Sequence, residues 1–460
     1  MNFEELQQTA NDAYFDLQIV RTFPRQRYFA AVIPILQRLF APTLKRILKR
    51  TLWFCVSFTV RRTLALRILR ALVPKARNAP FAAPVCVVSN FTSHSGIGEG
   101  GRLAARSLVA LGYDVRVINW VPIRRKQRDA VVRWQGPALE MGVGTVIFHL
   151  NPEALMFGLL LLGRAPLVRK RIVGYWAWEL PTMPREWIPL LNYVDEIWTP
   201  SRFVASAIAP FTKKPVRVVP HPVAAEPAGR ARRADFGIPR DTFAVLTMFS
   251  LSSSFTRKNP LAAIDAFRAA FKDDPRRQLI LKLSDAALHP ASVNLLRAAV
   301  VNSPNIRVLE FDLNNQATRD LIASVDVVLS LHRSEGFGLV MAEAMHSGTA
   351  VVATNWSGNL EYMDKETACL VPAIQVPTFD PGGVFERAGQ TWADPSVADA
   401  AVFLKRLAEE PETLRSLRER AKAHVADRLG LKIFGKHFDA AVKQCNVDKQ
   451  GWYLPACANL

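Results

Sequence analysis

Residues 332–347 read His-Arg-Ser-Glu-Gly-Phe-Gly-Leu-Val-Met-Ala-Glu-Ala-Met-His-Ser and contain two carboxylates, Glu335 and Glu343, separated by seven residues. The run Val-Val-Leu-Ser-Leu at 327–331 is apolar and β-prone, and residues 339–345 favour a helix. The stretch therefore predicts a turn from a strand into a helix. Glycines and carboxylates concentrated at such a turn indicate a ligand site.

The chemistry of this turn favours a sugar nucleotide. Gly336 and Gly338 allow close approach of the backbone, and the amides at the start of the following helix form a seat for a diphosphate. A carboxylate accepts two hydrogen bonds at once, so Glu335 and Glu343 suit the vicinal hydroxyls of a sugar or a ribose. The structural alternative is that Glu335 caps the helix and Glu343 is a solvated helix acid.

The surrounding sequence favours the sugar-nucleotide site over two structural acids. Together with residues 349–361, Thr-Ala-Val-Val-Ala-Thr-Asn-Trp-Ser-Gly-Asn-Leu-Glu, the stretch closely resembles the nucleotide-sugar motif of GT-B glycosyltransferases in the retaining family 4 group. The resemblance covers roughly residues 85–445. It implies transfer of a hexose from a nucleoside diphosphate sugar to a hydroxyl, with retention of anomeric configuration.

The resemblance also implies roles for individual residues. Glu335 would hold hydroxyls of the transferred sugar, and Glu343 would hold the ribose diol. The backbone amides from Phe337 to Leu339 would bind the diphosphate. The resembled group typically works without an essential divalent ion, and no Asp-x-Asp motif appears where a catalytic metal would need one. We therefore expect no metal and no other cofactor.

Two cations lie at a second predicted strand-to-helix junction. The predicted strand at 243–249 leads through residues 250–260 into an amphipathic helix. Arg257 and Lys258 in this junction can neutralise the charge of a departing nucleoside diphosphate. In the resembled family a lysine at about this place does so. The family's arginine normally stands several residues before that lysine, but Ser252–Ser254 occupy that region here.

A glycine-rich stretch, Ser-Gly-Ile-Gly-Glu-Gly-Gly-Arg at 95–102, follows a predicted strand at 85–89. The main competing interpretation of this stretch is the dinucleotide-binding loop of an oxidoreductase. Such an enzyme usually carries an acid at the end of the next strand, whereas this strand ends in Asn119 and Trp120. In the resembled family the loop faces the cleft, so Gly96 and Gly98 are predicted to approach the donor phosphates or the acceptor. The alternative is that Gly96 and Gly98 only allow a tight turn and contact no ligand.

Acceptor contacts are predicted at two places in the first half of the chain. His149 lies near the end of a predicted strand, where ligands collect in parallel sheets, and is predicted to orient or deprotonate a hydroxyl. A hydrogen-bonded core histidine is the alternative. Trp178 and Glu179 suit a sugar ring and its hydroxyls, although a buried structural tryptophan is equally consistent. Their tract, 174–181, also resembles a subset of family 4 enzymes that build polysaccharides, which makes mannose the mildly preferred sugar.

Positive charge is concentrated at the N-terminus. The net charge is +19, and residues 1–80 hold 14 Lys and Arg against 4 Asp and Glu, with no acid in residues 21–80. In the helical pattern at 43–50, basic residues lie opposite an apolar side, as in helices at anionic membrane interfaces. We expect residues 21–80 to contact an anionic membrane surface. An arm packed on protein is the alternative, and nucleic acid is not expected because no recognised binding motif appears.

The alternation of strands and helices predicts an α/β fold with two doubly wound Rossmann-like domains facing a cleft and a basic helical N-terminal extension. The resemblance to family 4 enzymes implies that this architecture is of the GT-B class. The 460 residues are enough for two or three domains. Residues 372–395 are predicted as an irregular insertion. The predicted divisions are a basic amphipathic region at 1–80, an acceptor domain at 81–223, a linker at 224–240, a nucleotide-sugar domain at 241–430, and a helix returning to the first domain with a tail at 431–460.

The cellular setting follows from composition. Five widely spaced cysteines predict reduced thiols, and no uncharged apolar run reaches the roughly 18 to 20 residues that span a bilayer. We expect a cytoplasmic protein, peripheral on the inner membrane, with a lipid-linked oligosaccharide or polysaccharide acceptor. The alternative is a non-catalytic subunit that binds sugar nucleotide or polysaccharide in a membrane-associated assembly. The complete set of Glu335, Glu343 and Lys258 argues against it.

Overall fold

The fold is described from a computed structural model for residues 66–68, 71–73, 75–93, 95–125, 129–135, 139–223, 232–381 and 384–447. Most of the basic region predicted at 1–80 lies outside these described residues. At its described end, Leu66 and Leu72 pack against the core of the first domain, and Val73 is buried in that core. None of the helices in these ranges is long and apolar enough to span a membrane.

The first domain is built on a seven-stranded sheet. Its strands are β1 (Val85–Ser89), β2 (Val115–Arg125), β3 (Asp129–Gln135), β4 (Gly144–Phe148), β5 (Lys170–Tyr175), β6 (Glu196–Thr199) and β7 (Val216–Val218). Their order is β3-β2-β1-β4-β5-β6-β7, and every neighbouring pair is parallel except β2 and β3. The central strands β1 and β4 are buried along their whole length, as expected for strands covered on both faces.

Three α-helices of the first domain are α1 (Gly96–Ala110), α2 (Pro152–Leu162) and α3 (Arg202–Ile208). Helix α1 begins inside the glycine-rich stretch, which is therefore mostly helical rather than a loop. Ser95 caps this helix, and its hydroxyl accepts a hydrogen bond of 3.3 Å from the amide of Gly98. A 3₁₀ helix, Arg185–Tyr193, with Pro189 inside it, lies between β5 and β6.

The second domain is built on a six-stranded parallel sheet. Its strands are β8 (Phe243–Ser250), β9 (Arg277–Ser284), β10 (Ile306–Leu309), β11 (Val327–Ser330), β12 (Ala350–Thr354) and β13 (Cys369–Val371). Its helices are α4 (Phe255–Lys258), α5 (Pro260–Phe271), α6 (Pro290–Val300), α7 (Asn315–Ser324), α8 (Leu339–Ser347), α9 (Val397–Glu409) and α10 (Pro411–Leu429). The strand order β10-β9-β8-β11-β12-β13 is that of a doubly wound sheet. The predicted α/β fold with two doubly wound domains is confirmed.

The strand order determines where a ligand site forms in each domain. In the second sheet β8 lies between β9 and β11, so successive connections run to opposite sides. Such a switch point opens a crevice at the carboxyl ends of the strands. Arg257 and Lys258 follow β8, and Glu335 follows β11, so all three residues lie at this crevice. The corresponding point in the first sheet lies between β1 and β4, and His149 directly follows β4.

The prediction of an irregular insertion at 372–395 is wrong. Strands β14 (Ala373–Pro377) and β15 (Thr391–Pro395) pair antiparallel in a separate two-stranded sheet. We call residues 373–395 the interdomain hairpin, because its side chains contact both domains. The proline residues at 377 and 381 and the glycines at 382, 383 and 389 obscured the strand pattern in the sequence.

The last described helix, α11 (Leu431–Val447), packs on the first domain. Phe438 of this helix lies edge-on to Phe81 and Trp198, with ring centroids 5.5 and 5.4 Å away. The predicted linker at 224–240 is described only from residue 232 onward. There, residues Arg233–Phe236 form a 3₁₀ helix on the second domain, and Arg233 Nη1 lies 3.2 Å from Asp326 Oδ2.

Candidate active site

Glu335, Lys258 and Arg257 form one charge cluster at the switch point of the second domain. The Lys258 ammonium donates a hydrogen bond to Glu335 Oε1, and Arg257 Nη1 lies 3.2 Å from the same oxygen. The backbone also fixes Glu335, because its amide donates to Ser357 Oγ at 2.8 Å. Residues 77 positions apart in the chain thus meet at the crevice.

The cluster fixes the charge state of its carboxylate. Burial by itself would raise the pKa of Glu335, but the positive charges of Lys258 and Arg257 outweigh burial and lower that pKa to about 2. Burial lowers the pKa of Lys258, although the Glu335 carboxylate opposes this shift. Glu335 is therefore an anion throughout the physiological range, and it accepts hydrogen bonds without donating any.

Arg257 has a different position from the one expected of a group that contacts the leaving diphosphate. Its side chain is only 1% exposed, and its guanidinium donates to the carbonyl oxygens of Ser334 and Ser253 at 2.6 and 3.0 Å. These protein partners occupy both terminal nitrogens of the guanidinium, whereas Nε is buried without a hydrogen-bond partner. We therefore correct its predicted role: Arg257 shapes the turn that carries Glu335, whereas Lys258, with 21% of its side chain exposed, is the more accessible cation.

The amino terminus of α8 points into the same crevice. Gly338 precedes the helix with a φ of 84°, a conformation that favours glycine, and its carbonyl accepts from the amide of Met341 at 3.0 Å. The amides of Leu339 and Val340 precede this bond and so belong to the orphan donors of a helix start. The Phe337 ring is buried against Tyr362, so this residue has only its backbone to offer to a ligand.

Gly336 lies at the contact between the domains. Its carbonyl oxygen accepts a hydrogen bond of 2.7 Å from Ser201 Oγ, which comes from the first domain. A Cβ at position 336 would lie 3.2 Å from the carbonyl oxygen of Trp178. A side chain at position 336 would therefore press on the backbone of the first domain, so close packing of the domains also favours glycine here.

Glu343 lies in α8 and interacts electrostatically with Glu99 and Arg102 of the first domain, neither of which is marked as functional by the sequence. Burial raises the pKa of Glu343 to about 8, and the charge of Glu99 adds to this increase, while Arg319 and Arg102 oppose it. Glu99 in turn accepts hydrogen bonds from Arg102 Nε at 2.6 Å and from Asn315 Nδ2 of the second domain at 2.9 Å. No local sequence pattern marks Glu99 as a neighbour of Glu343.

His149 lies in a stack of rings at the switch point of the first domain. Its ring is 4.0 Å from that of Tyr175 and 5.4 Å from that of His221, and it is almost fully buried. Burial lowers the pKa of His149 well below its usual value and lowers that of His221 to about 3. His149 is therefore a neutral imidazole. His221 also contacts the second domain, where it meets the Phe337 ring edge-on with the two ring centroids 5.0 Å apart.

The two predicted glycine contacts have different surroundings. A Cβ at Gly98 would lie 2.6 Å from the carbonyl oxygens of Asn90 and Ser93, and the Gly98 amide is already bound to Ser95. The prediction that Gly98 contacts a ligand is therefore corrected, because this glycine serves the packing of α1. A Cβ at Gly96 would meet no atom within 4 Å, so Gly96 remains open to a ligand.

Trp178 and Glu179 are neighbours in sequence with different environments. The Trp178 ring is 4% exposed, because Phe385 and the Arg387 guanidinium cover it at 5.5 Å. It is not free to stack on a sugar, which corrects that prediction. Glu179 lies beside the charge cluster: burial raises its pKa, Arg257 and Lys258 oppose the increase, and Glu335 adds to it. Glu179 of the first domain thus interacts electrostatically with Glu335 and with both cations of the charge cluster.

The described residues contain no cluster of side chains that would indicate a metal site. Within the described part of the chain, no group of three or more His, Cys, Asp or Glu side chains is arranged to hold a metal ion. The donors identified for an anionic ligand are instead Lys258 and the amides at the start of α8.

Solved structures define the class of the fold. HepE from Anabaena in complex with UDP-glucose aligns with 78% of this chain and 99% of its own, with a TM-score of 0.57 and 15% identity. Sucrose-phosphate synthase from Thermosynechococcus elongatus aligns with 80% of this chain and 100% of its own, with a TM-score of 0.58 and 14% identity. A glycosyltransferase from Rickettsia africae ESF-5 aligns with 79% of this chain and 98% of its own, with a TM-score of 0.56 and 14% identity. At these identities the likeness establishes the fold, which is GT-B.

A family match is found in the second half of the chain. Residues 201–427 match the family described as GT4-conflict, Family 4 Glycosyltransferase in conflict systems. These residues include Lys258, Glu335 and Glu343. Comparison with curated proteins gives no match. Residues 201–427 therefore match a family 4 glycosyltransferase, and the chain has the GT-B fold, as the resemblance of the motif at 332–361 implied.

Proposed function

We propose that this enzyme transfers a hexose, with mannose mildly preferred, from a nucleoside diphosphate sugar to an acceptor hydroxyl with retention of anomeric configuration. The proposal rests mainly on the convergence of Lys258 and Glu335 at the switch point, beside the amino terminus of α8. A cation and free amides suit a diphosphate, and an ionised carboxylate suits sugar hydroxyls. This arrangement matches the two ends of a sugar nucleotide.

Each group has a specific task in this mechanism. The donor diphosphate binds at the amides of Leu339 and Val340 and draws Lys258 away from Glu335. Lys258 then stabilises the negative charge that develops on the leaving phosphate. Glu335, released from one of its two cations, accepts hydrogen bonds from hydroxyls of the transferred sugar, and Glu343 accepts from the ribose diol. No metal is assigned a step.

Retention follows when the acceptor attacks the face from which the nucleoside diphosphate leaves. The departing phosphate then takes the acceptor proton. In this proposal the acceptor hydroxyl is oriented by two residues of the first domain: neutral His149, which directly follows β4, and Glu179, which lies beside the charge cluster. Glu179 accepts a hydrogen bond from the acceptor hydroxyl in this arrangement, while the departing phosphate takes the proton.

The acceptor is a lipid-linked oligosaccharide or polysaccharide, and the enzyme is cytoplasmic and peripheral on the inner membrane. The excess of Lys and Arg in residues 21–80 supports this setting, because basic side chains bind anionic lipid headgroups. Vesicle flotation of the full chain tests the membrane contact. Binding to vesicles with anionic phospholipid should fall by at least tenfold when Lys45, Arg46, Lys49 and Arg50 are changed to Glu. Unchanged binding would remove the membrane from the proposal.

The transfer itself is tested by release of nucleoside diphosphate from a panel of GDP- and UDP-sugars. GDP-mannose and UDP-glucose belong in the panel, the latter because HepE is seen in complex with it. The acceptors should include lipid-linked saccharides, and also protein and small-molecule hydroxyls, because the matching family is described from conflict systems. Wild type should turn over one donor and Glu343→Ala should not. Binding of a donor without turnover of any acceptor would favour the non-catalytic binding subunit.

A further inference from the structure

The interdomain hairpin, residues 373–395, is fixed to the second domain beside the charge cluster. Asp380 is almost fully buried, and its carboxylate accepts from Ser254 Oγ at 2.9 Å and from the amide of Phe385 at 3.0 Å. The amide of Ala393 donates to the carbonyl of Arg333 at 2.8 Å. Ser254 caps the short helix α4, which carries both Arg257 and Lys258. The hairpin is thus tied to the element that supplies the cations.

The same hairpin is fixed to the first domain at the tract that carries Glu179. Gln390 Oε1 accepts a hydrogen bond of 3.1 Å from the amide of Thr182, and Arg387 Nη1 lies 2.9 Å from Glu186 Oε1. The Arg387 guanidinium also lies 5.5 Å from the centre of the Trp178 ring. These contacts bracket residues 178–186 on both sides of Thr182. The position of this tract therefore depends on the hairpin.

Phe385 joins the two sets of contacts. One neighbour of its ring is Trp178, with centroids 5.5 Å apart, and another is the Arg257 guanidinium, 5.1 Å from the ring centre. An aromatic face attracts a guanidinium, and more strongly where water is excluded. Arg257 in turn contacts Glu335 at 3.2 Å. A continuous series of contacts therefore runs from Trp178 through Phe385 and Arg257 to Glu335.

We propose that Phe385 and Arg387 are positioning residues, which hold the Trp178–Glu179 segment and the Arg257–Glu335 pair in register so that acceptor and donor meet in reacting geometry. The inference rests on the proposed function for its kinetic effect, but not for its structural effect. Neither residue is required to touch a substrate. Misplacement of reacting groups by about 1 Å is enough to lower a rate by about a hundredfold, so loosening this contact should be visible in turnover.

The test compares Phe385→Leu, Phe385→Ala and Arg387→Gln with Phe379→Ala. Phe379 belongs to the same hairpin but is 65% exposed, so its variant is a matched control for removing a phenyl ring. Leucine at position 385 keeps an apolar side chain and loses the face that contacts Arg257. Arg387→Gln changes a partly exposed residue and is the variant to use if Phe385→Ala does not fold.

Two measurements are made on each full-length variant. The first is hydrogen–deuterium exchange of peptides covering residues 176–182 and 251–258, which needs no activity. Phe385→Leu should raise exchange in both peptides by about tenfold with no change in the strands of either sheet, and Arg387→Gln should raise it in the first peptide. The second is transfer kinetics. Phe385→Leu should lower kcat by about tenfold while the donor KM stays within about twofold.

The outcomes separate the positioning role from the proposed transfer. If exchange in Phe385→Leu equals that of Phe379→Ala, the positioning role is overturned whatever the activity. If exchange rises in both peptides but kcat equals the value of the control, the contacts are structural only and the inference fails. If wild type itself turns over no donor, the transfer proposal fails, and the exchange data still decide whether Phe385 couples the two segments.

Discussion

Asn315 of the second domain donates a hydrogen bond of 2.9 Å to Glu99 of the first domain, next to Glu343. The contact places two carboxyl groups near each other where the ribose of the donor is expected. One consequence is that burial, with the charge of Glu99 added to it, raises the pKa of Glu343 to about 8. The site therefore combines the predicted ribose contact with an electrostatic neighbour from the other domain.

The first prediction concerns the pH dependence of donor binding. A protonated Glu343 loses part of its capacity to accept from the ribose diol, so donor affinity should rise with pH through about 8. Glu99→Gln removes the negative charge, lowers the pKa of Glu343 and should move this rise to lower pH. Titration calorimetry between pH 6 and 9 measures the midpoint. Glu140→Gln, which changes an exposed acid paired with Arg116, is the control and should leave the midpoint unchanged.

The second prediction concerns Lys258. Its ammonium is the more accessible cation of the charge cluster, so Lys258→Ala should lower kcat by about 10² to 10³, the usual loss for a group that stabilises transition-state charge. Lys405→Ala removes an exposed lysine from α9 and serves as the control. Steady-state release of nucleoside diphosphate measures both variants. A variant Lys258→Ala with the control's kcat would show that the leaving group is stabilised elsewhere.

The third prediction follows from the low pKa of Glu335. Because its folded-state pKa of about 2 is below its ordinary value of 4.5, Glu335 contributes stability above pH 4.5 that is lost as pH falls toward 2. The contribution is on the order of 3 kcal/mol. Urea unfolding of wild type and Glu335→Gln should differ at pH 6, and the difference should shrink toward pH 3. Glu412→Gln, with its side chain 79% exposed, should match wild type at both values.

The fourth prediction concerns His149. Burial lowers the pKa of His149 well below its usual value, so the imidazole stays neutral from pH 6 to 8. Its titration should therefore cause no change of kcat with pH in that range. His149→Phe keeps an aromatic ring against Tyr175 and loses the ring nitrogens. We expect a melting temperature near that of wild type and at least a tenfold lower kcat. If the variant keeps the kcat of wild type, His149 has only a structural role in the core.

The sequence predicted the elements of the second-domain site well because its residues lie within local patterns. A buried apolar strand followed by a glycine-containing turn and a helix can be read from consecutive residues, and this arrangement placed Glu335 and the start of α8 correctly. The same holds for Lys258 at the end of α4. Parallel strand order then brings these separate junctions together, which the resemblance had already implied.

Residues that act across the domain contact could not be predicted in this way. Glu99, Asn315 and Phe385 lie on different elements, and only tertiary packing makes them neighbours of the site. The composition of the tract around Trp178 indicated aromatic contacts but not which residues cover the Trp178 ring. The ring is covered by the interdomain hairpin, which was predicted from the sequence to be irregular.

The last prediction separates Trp178 from Glu179. Trp178 is packed between Trp187 and Phe385, so Trp178→Ala should lower the free energy of unfolding by about 3 to 5 kcal/mol, as for other buried large-to-small changes. Glu179→Gln keeps the shape of its side chain and should leave the unfolding midpoint near that of wild type while it raises the acceptor KM by about tenfold. Urea unfolding and acceptor titrations at saturating donor measure the two effects. If Glu179→Gln leaves the acceptor KM unchanged, the acceptor does not bind at this carboxyl group, and the tract serves only the packing between the domains.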